Sequence, residues 1–92
     1  MNTIKLNDDF YFAIENSGNK TRLVVYNSGV ENVCRKEAFA RLKRFTTSDE
    51  KKLFGGRLRL HKNIAGIAIE VKGKIEGIIK VDDFLKLLSD AG

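Results

Sequence analysis

Apolar and polar residues alternate with a period of two through the first third of the chain and again through its last third. Such alternation is typical of strands that bury one face. Phe10, Phe12 and Ile14 fall on one face of such a strand, and Leu58 and Leu60 fall on one face of another. Because parallel pairs need long crossovers, the short connections between these segments favour antiparallel hairpins. The pattern predicts a mostly antiparallel sheet.

Six strands are predicted, at residues 4–6, 10–15, 20–27, 57–61, 67–72 and 75–81. Tight turns are predicted at residues 16–19, 27–29 and 72–74. Each of these turns contains glycine, and the first two also contain asparagine, the residue types that tolerate the positive φ of a tight reversal. The aromatic and β-branched content of the third strand favours a pleated surface.

Between the two strand groups the spacing of apolar residues becomes helical. A first helix is predicted over Val33–Phe45, with Asn32 as its N-cap and an apolar stripe of Cys34, Ala38, Phe39, Leu42 and Phe45. A short second helix is predicted from Ser48 to Phe54, because residues 47–50 have capping-box spacing and two glycines follow. A closing helix is predicted from Asp82 through Ser89.

These elements predict one α+β domain spanning residues 1–92. The expected order is β-β-β-α-α-β-β-β-α, with the helices packed on one face of the sheet. A chain of 92 residues buries only a little more than about 60% of its unfolded surface, so its core is small.

Cysteine and histidine usage excludes several classes of site. Cys34 and His61 are the sole residues of their types in the chain, so neither an intramolecular disulfide nor an ordinary zinc site is expected. We expect no metal and no cofactor. We also expect no secretory signal and no membrane span, because charged residues interrupt the most apolar stretch, residues 64–81. A reducing, cytoplasmic setting fits these features.

Basic charge is concentrated in the middle of the chain. Residues 35–62 hold ten Lys or Arg against three acidic residues, whereas residues 1–34 and 63–92 each carry a net charge of −1. Clustered cations attract polyanions by releasing their counterions. The same residues are also compatible with a solvated helix face, or with an edge strand protected by charge.

The sequence therefore predicts a small, non-enzymatic basic protein that binds nucleic acid or a nucleoprotein through residues 35–62. The candidate contact residues are all basic or titratable: Lys36, Lys43, Arg44, Lys51, Lys52, Arg57, Arg59, His61 and Lys62. Alternation predicts that Arg57, Arg59 and His61 share one face of a strand.

The alternative is a protein-directed inhibitor or regulator of a nucleic-acid enzyme, like the anti-restriction or anti-CRISPR proteins of phages. Such a protein would meet an acidic protein surface, with Tyr11, Tyr26 or Phe54 as apolar anchors. The two tyrosines are also candidates for stacking on bases. Cys34 beside two basic residues is a candidate nucleophile, but its place on the apolar stripe favours a core role.

Overall fold

The computed structural model describes residues 3–91, which form eight strands and two helices. In chain order they are β1 (Thr3–Lys5), β2 (Phe10–Ser17), β3 (Lys20–Asn27), β4 (Val30–Glu37), α1 (Phe39–Thr47), β5 (Lys52–Leu53), β6 (Leu58–Asn63), β7 (Gly66–Val71), β8 (Lys74–Ile79) and α2 (Val81–Ala91).

The strands form two four-stranded antiparallel sheets, β1-β2-β3-β4 and β5-β6-β7-β8, each followed by a helix. The predicted α+β class and the antiparallel pairing are confirmed. The predicted order is wrong at two places, because residues 30–37 form a strand and residues 48–54 do not form a helix. The strands consequently divide into two sheets of equal size instead of one.

The fourth strand replaces the first half of the predicted first helix. Ser28 and Gly29, at φ values of 52° and 82°, form a two-residue turn that pairs Asn27 with Val30 and starts β4 directly after β3. Asn32 is therefore a strand residue, and the position before α1 is Ala38, which provides no side-chain cap. The second half of the predicted helix is present, with Leu42 and Phe45 fully buried, but Phe39 of the predicted apolar stripe is exposed, at 37%, because it begins α1 at the surface.

A β-bulge explains why the strand pattern of residues 30–37 was missed. Val25 pairs with Val33 but the next residue, Tyr26, pairs with Glu31, so Asn32 is an extra residue in β4. The extra residue breaks the period of two, and β4 lies at the edge of its sheet with one buried residue, Val33. The apolar and polar residues of β4 therefore do not alternate clearly, and the sequence does not identify β4 as a strand.

The predicted second helix is replaced by a loop and a short strand. Ser48 is the C-cap of α1, and its hydroxyl accepts a hydrogen bond from the Glu50 backbone N–H at 3.3 Å. The capping-box spacing at this position thus closes a turn instead of starting a helix. Leu53 then pairs with Leu60 of β6, and Phe54 adopts a left-handed backbone with φ 71°.

The second sheet follows its predicted pattern closely. Leu58 and Leu60 of β6 are buried, as are Ile67, Ile69 and Val71 of β7. The closing helix spans Val81–Ala91, so its two aspartates lie in its first turn, where negative charge complements the helix dipole.

Both sheets and both helices contribute to one hydrophobic core. At one side of the molecule Leu6 packs against Gly77, and a Cβ added at Gly77 would come within 2.9 Å of the Leu6 Cβ. Beside this contact the Asn7 amide donates to the Glu76 carbonyl oxygen at 3.0 Å. At another position Arg35 of β4 donates to the Gly55 carbonyl oxygen at 3.2 Å. These contacts tie β1 to β8 and β4 to the β5–β6 loop. No helix within residues 3–91 is long and apolar enough to cross a membrane.

Candidate functional site

Four of the predicted contact residues are carried by segments that meet at the C-terminal end of α1. Lys43 and Arg44 lie in α1, and Lys51 and Lys52 follow the loop that leaves it. All four side chains are exposed, and none of them makes a hydrogen bond or an ion pair with any of residues 3–91. We call Lys43, Arg44, Lys51 and Lys52 the basic cluster.

The loop that carries the basic cluster is held by an ion pair and a backbone bond. Arg41 makes two hydrogen bonds to the Glu50 carboxylate, at 2.9 and 2.7 Å. The Arg41 guanidinium lowers the pKa of Glu50 below its usual range, first by this hydrogen bonding and then by charge attraction. The Lys51 carbonyl oxygen accepts a 2.7 Å hydrogen bond from the Lys62 N–H, which fixes the loop to β6.

Lys62 has an internal role. It lies on the face of β6 that carries Leu58 and Leu60, and its ammonium donates to the carbonyl oxygens of Phe45 and Ser48. A cation at this point complements the negative end of the helix dipole. The Lys62 ammonium therefore stabilises the end of α1. Although Lys62 is hydrogen-bonded to Lys51 through the backbone, its side chain is not free to bind a ligand as those of the basic cluster are.

Arg59 and His61 lie on the outer face of the second sheet, as alternation predicts, but both contact the same carboxylate. His61 Nε2 is 2.8 Å from Glu70 Oε1, and Arg59 Nη1 is 3.7 Å from Glu70 Oε2. Lys52 is the cross-strand partner of His61 on this face. The Glu70 carboxylate offsets part of the positive charge of Arg59 and His61. This face of the sheet is therefore less basic than the sequence indicates.

Arg57 and Lys36 lie apart from the basic cluster. Arg57 is exposed in the turn before β6, and its carbonyl oxygen accepts a 2.7 Å hydrogen bond from the Lys72 N–H. Lys36 is exposed on β4, opposite Arg22 in the first sheet. Four of the nine candidates are thus exposed and without a bond to residues 3–91 on α1 and the segment that follows it, three others contact protein groups, and two lie elsewhere on the surface.

The carboxylates of the basic segment are largely occupied. Glu50 binds Arg41, and a Glu37 side-chain oxygen accepts a 2.8 Å hydrogen bond from the Ala38 N–H. The third acidic residue of this segment is Asp49. Its side chain makes no hydrogen bond or ion pair with residues 3–91. The free charge of the segment is therefore positive.

An apolar strip on the outer face of the second sheet was not anticipated. Ile75 pairs with Glu70 and Ile78 pairs with Ala68, which places both isoleucines on the face of Arg59 and His61, with 46% and 52% of their surfaces exposed. Ile64 is fully exposed at the β6–β7 turn, where Asn63 Oδ1 accepts a hydrogen bond from the Ala65 N–H at 2.9 Å. The β8 bulge after Ile75 obscures this pattern in the sequence.

Cys34 is not a core residue, contrary to the prediction. It is exposed on the outer face of the first sheet, opposite Val24. Its neighbours on that face include Arg22, which forms ion pairs with Glu15 at 2.7 Å and with Glu31. Hydrogen bonding to Arg22 lowers the pKa of Glu31, and hydrogen bonding to Glu31 and then to Glu15 raises the pKa of Arg22.

The two tyrosines form a direct cross-strand pair on the outer face of the first sheet. Tyr26 donates a 2.8 Å hydrogen bond from its hydroxyl to Glu15 Oε2, and this bond is the first cause of a raised Tyr26 pKa. Thr3, Tyr11, Tyr26 and Gly29 line a shallow depression of about 210 Å³. Period-two alternation could place both tyrosines on one face, but only the pairing register shows that they are adjacent.

No group of three or more His, Cys, Asp or Glu side chains within residues 3–91 is arranged to hold a metal ion. Asp8 and Asp9 belong to a turn in which Asn7 Oδ1 accepts the Asp9 and Phe10 N–H groups, at 2.9 and 3.0 Å. This turn accounts for the positions of Asp8 and Asp9. The other neighbouring aspartates, Asp82 and Asp83, lie in the first turn of α2.

Comparison with known proteins identifies no relative. No protein-family model matches the sequence, and neither a curated protein nor a solved structure gives a significant match. The geometry of the chain itself is therefore the basis for a functional proposal.

Proposed function

We propose that this chain is a non-enzymatic binding protein that contacts the phosphate backbone of nucleic acid, free or within a nucleoprotein, through its basic segment. The principal contacts come from the basic cluster, Lys43, Arg44, Lys51 and Lys52. Arg57 and Lys36 extend the positive surface, and Arg59 and His61 contribute to it after partial neutralisation by Glu70. A reducing, cytoplasmic setting accords with a chain that has one exposed cysteine and no partner for it.

One observation carries the proposal: no side chain of the basic cluster forms an ion pair within residues 3–91, whereas two of the three carboxylates of the basic segment, Glu37 and Glu50, are engaged and Asp49 alone is not. Glu50, the nearest acidic group along the chain, is bound by Arg41 in a two-bond contact. Although Arg44 also attracts the Glu50 carboxylate at a distance, the four exposed cations form no ion pair within residues 3–91 and are free to neutralise phosphates, and the nucleic acid then releases its condensed counterions with an entropic gain. Arg41 and Lys62, by contrast, contact a carboxylate and a helix end, and within the cluster Arg44 also lies in the last turn of α1, where its charge complements the helix dipole.

The test is binding of a duplex oligonucleotide across a range of salt concentrations. The variant K43Q/R44Q/K51Q/K52Q removes the basic cluster and keeps the side chains polar. Each lost phosphate contact lowers the slope of log affinity against log salt by about 0.9, so the expected decrease for four contacts is about 3.6.

A matched control removes four lysines from other parts of the surface. Lys20, Lys74, Lys80 and Lys86 are exposed and lie outside residues 35–62, so K20Q/K74Q/K80Q/K86Q has the same net charge as the first variant. Its slope is expected to fall by less than about one unit. Equal losses in both variants, or no complex of the unaltered protein with duplex or single-stranded oligonucleotides at about 0.15 M salt, would rule out the proposal.

A second candidate is supported by the apolar strip. Ile75 and Ile78 lie beside Arg59 on one sheet face, and apolar centres with charged margins are common at protein interfaces. This arrangement fits a protein-directed inhibitor or regulator whose target has an apolar patch bordered by carboxylates. In that case I75S/I78S abolishes target binding, whereas the basic-cluster variant mainly slows association. Nucleic-acid binding that survives I75S/I78S unchanged favours the first candidate.

A further inference from the structure

The outer face of the first sheet carries an aromatic site that the basic cluster does not explain. We propose that Tyr11 and Tyr26 form a stacking site for one unpaired nucleobase, so that the protein prefers single-stranded over duplex nucleic acid. This inference rests on the proposed function, because the basic cluster supplies the phosphate contacts that bring a strand to the surface.

The pairing register determines how Tyr26 lies on the sheet. Tyr26 pairs with Tyr11, whereas Glu15, which accepts its hydroxyl hydrogen bond, pairs with Arg22 four residues away along β3. Side chains on one face are spaced two residues apart, so the Tyr26 ring must cross the row formed by Ala13 and Val24. Both of these residues are fully buried although they belong to the outer face. The ring therefore lies flat, with one side on the sheet.

The flat ring is held in place by its polar contacts. Glu15 accepts the Tyr26 hydroxyl through Oε2 and an Arg22 N–H through Oε1, at 2.8 and 2.7 Å. Arg22 is held in turn by Glu31. With its hydroxyl committed to Glu15, Tyr26 offers an incoming group its ring face, and a fixed ring loses little conformational entropy on binding.

The depression beside the ring limits the size and chemistry of the ligand. Its volume of about 210 Å³ is below the usual range for sites that enclose a whole cofactor, and its walls are the two tyrosines, Thr3 and Gly29. It accommodates a single flat group against a tyrosine ring. Nucleobases stack on aromatic side chains with little sequence preference because every base has a π face.

One cation lies beside the depression, where it can contact the phosphate of a stacked base. Lys5 is the cross-strand partner of Tyr11, and its ion pair with Asp8 is exposed and long, at 3.7 Å. Glu31 pairs with Tyr26, but its carboxylate contacts Arg22. Residues 1–34 carry a net charge of −1, so the long-range attraction of the strand comes from residues 35–62 and Lys5 supplies the local phosphate contact.

The test uses two probes with equal phosphate charge, an oligothymidylate and an abasic oligonucleotide of the same length. The chain contains two tyrosines and no tryptophan, so its intrinsic tyrosine fluorescence comes from this site alone. The oligothymidylate is expected to quench that fluorescence and to bind about tenfold or more tightly than the abasic strand. Tyr11→Leu should remove most of this difference and leave the salt dependence unchanged, because Tyr11 contacts no phosphate in the proposal.

The outcomes separate this inference from the proposed function. Equal affinity for the two probes without fluorescence quenching, together with intact salt dependence, overturns the stacking site and leaves the phosphate-binding function standing. Loss of the salt dependence in Tyr11→Leu also overturns the stacking role. That result would mean that Tyr11 maintains the folded structure and does not contact a base. Absence of any complex with either probe or with duplex overturns both.

Discussion

The Lys62 ammonium lies 5.0 Å from the centre of the Phe45 ring and donates a hydrogen bond to the Phe45 carbonyl oxygen. One basic residue thus donates to the end of α1 and places its charge over the face of a core aromatic ring. Phe45 is fully buried, so this contact joins the end of the helix to β6 at the margin of the core. A residue predicted to meet phosphate is instead part of the architecture that positions the basic cluster.

Lys62→Met is expected to lower the free energy of unfolding by about 1–3 kcal/mol, because the carbonyl oxygens of Phe45 and Ser48 lose their donor. Chemical denaturation measures this loss. Lys52→Met is the control, since Lys52 is exposed and makes no such bond with residues 3–91, and its effect should stay within about 0.5 kcal/mol. Equal stability of the two variants would contradict the capping role.

Leu42→Ala is expected to cost about 2–5 kcal/mol, because Leu42 is fully buried in the core. The neighbouring substitution Lys43→Ala changes an exposed residue and should cost little. The midpoint of a urea titration compares the two. A midpoint unchanged by Leu42→Ala would contradict the placement of α1.

Gly66→Ala is expected to destabilise the protein by more than about 2 kcal/mol. The Gly66 backbone has φ +138°, and an added Cβ would lie 2.3 Å from the Ile79 carbonyl oxygen. Gly55→Ala is the matched control, since no atom lies within 4 Å of a Cβ at that position. Thermal unfolding of the two variants distinguishes a packing conflict from a general loss of glycine flexibility, which would affect both alike.

Tyr26 should lose its phenolic proton at a higher pH than free tyrosine, because its hydroxyl donates to the Glu15 carboxylate. The substitution Tyr11→Phe leaves Tyr26 as the one tyrosine, and ultraviolet absorbance then follows its titration. Since the folded-state pKa is raised, the stabilisation is present below the unfolded value of about 10 and is lost as the pH rises through the folded value. Adding Glu15→Gln should lower the titration midpoint. No change on that substitution would mean that Glu15 does not hold the ring.

Cys34 is expected to react with a thiol reagent in the native protein, because it is exposed on the first sheet. The buried helical position predicted for it would require unfolding before reaction. Labelling followed by mass spectrometry, with and without denaturant, separates the two placements. Reaction only in denaturant would restore the helix over residues 33–38.

The sequence by itself determined the elements whose patterns are local. Residues 20–27 form β3 with the predicted bounds, and the glycine-containing turns at residues 16–19 and 72–74 close hairpins as expected. The buried faces of β2, β6 and β7 follow from alternation alone, because each of these strands is flanked on both sides and buries its whole apolar face.

Tertiary structure decided whether residues 30–37 form a strand or a helix. Cys34, Ala38, Leu42 and Phe45 satisfy a helical spacing, but pairing with β3 through the Ser28-Gly29 turn places Cys34 in a strand, and the extra residue Asn32 breaks the alternation that would have revealed it. Long-range backbone pairing outweighs a local periodicity of this kind, since it satisfies the hydrogen bonds of a whole strand.

Tertiary structure also decided which cations are free. Sequence spacing predicts a basic segment, but charge partners such as Arg41 with Glu50 and Arg59 with Glu70 depend on how a helix, a loop and two strands meet. Lys62 points toward the core side of β6, where the end of α1 supplies carbonyl oxygens that need a donor. An ion pair or a helix cap exists only when distant segments have been brought within hydrogen-bond distance, and no local pattern encodes that distance.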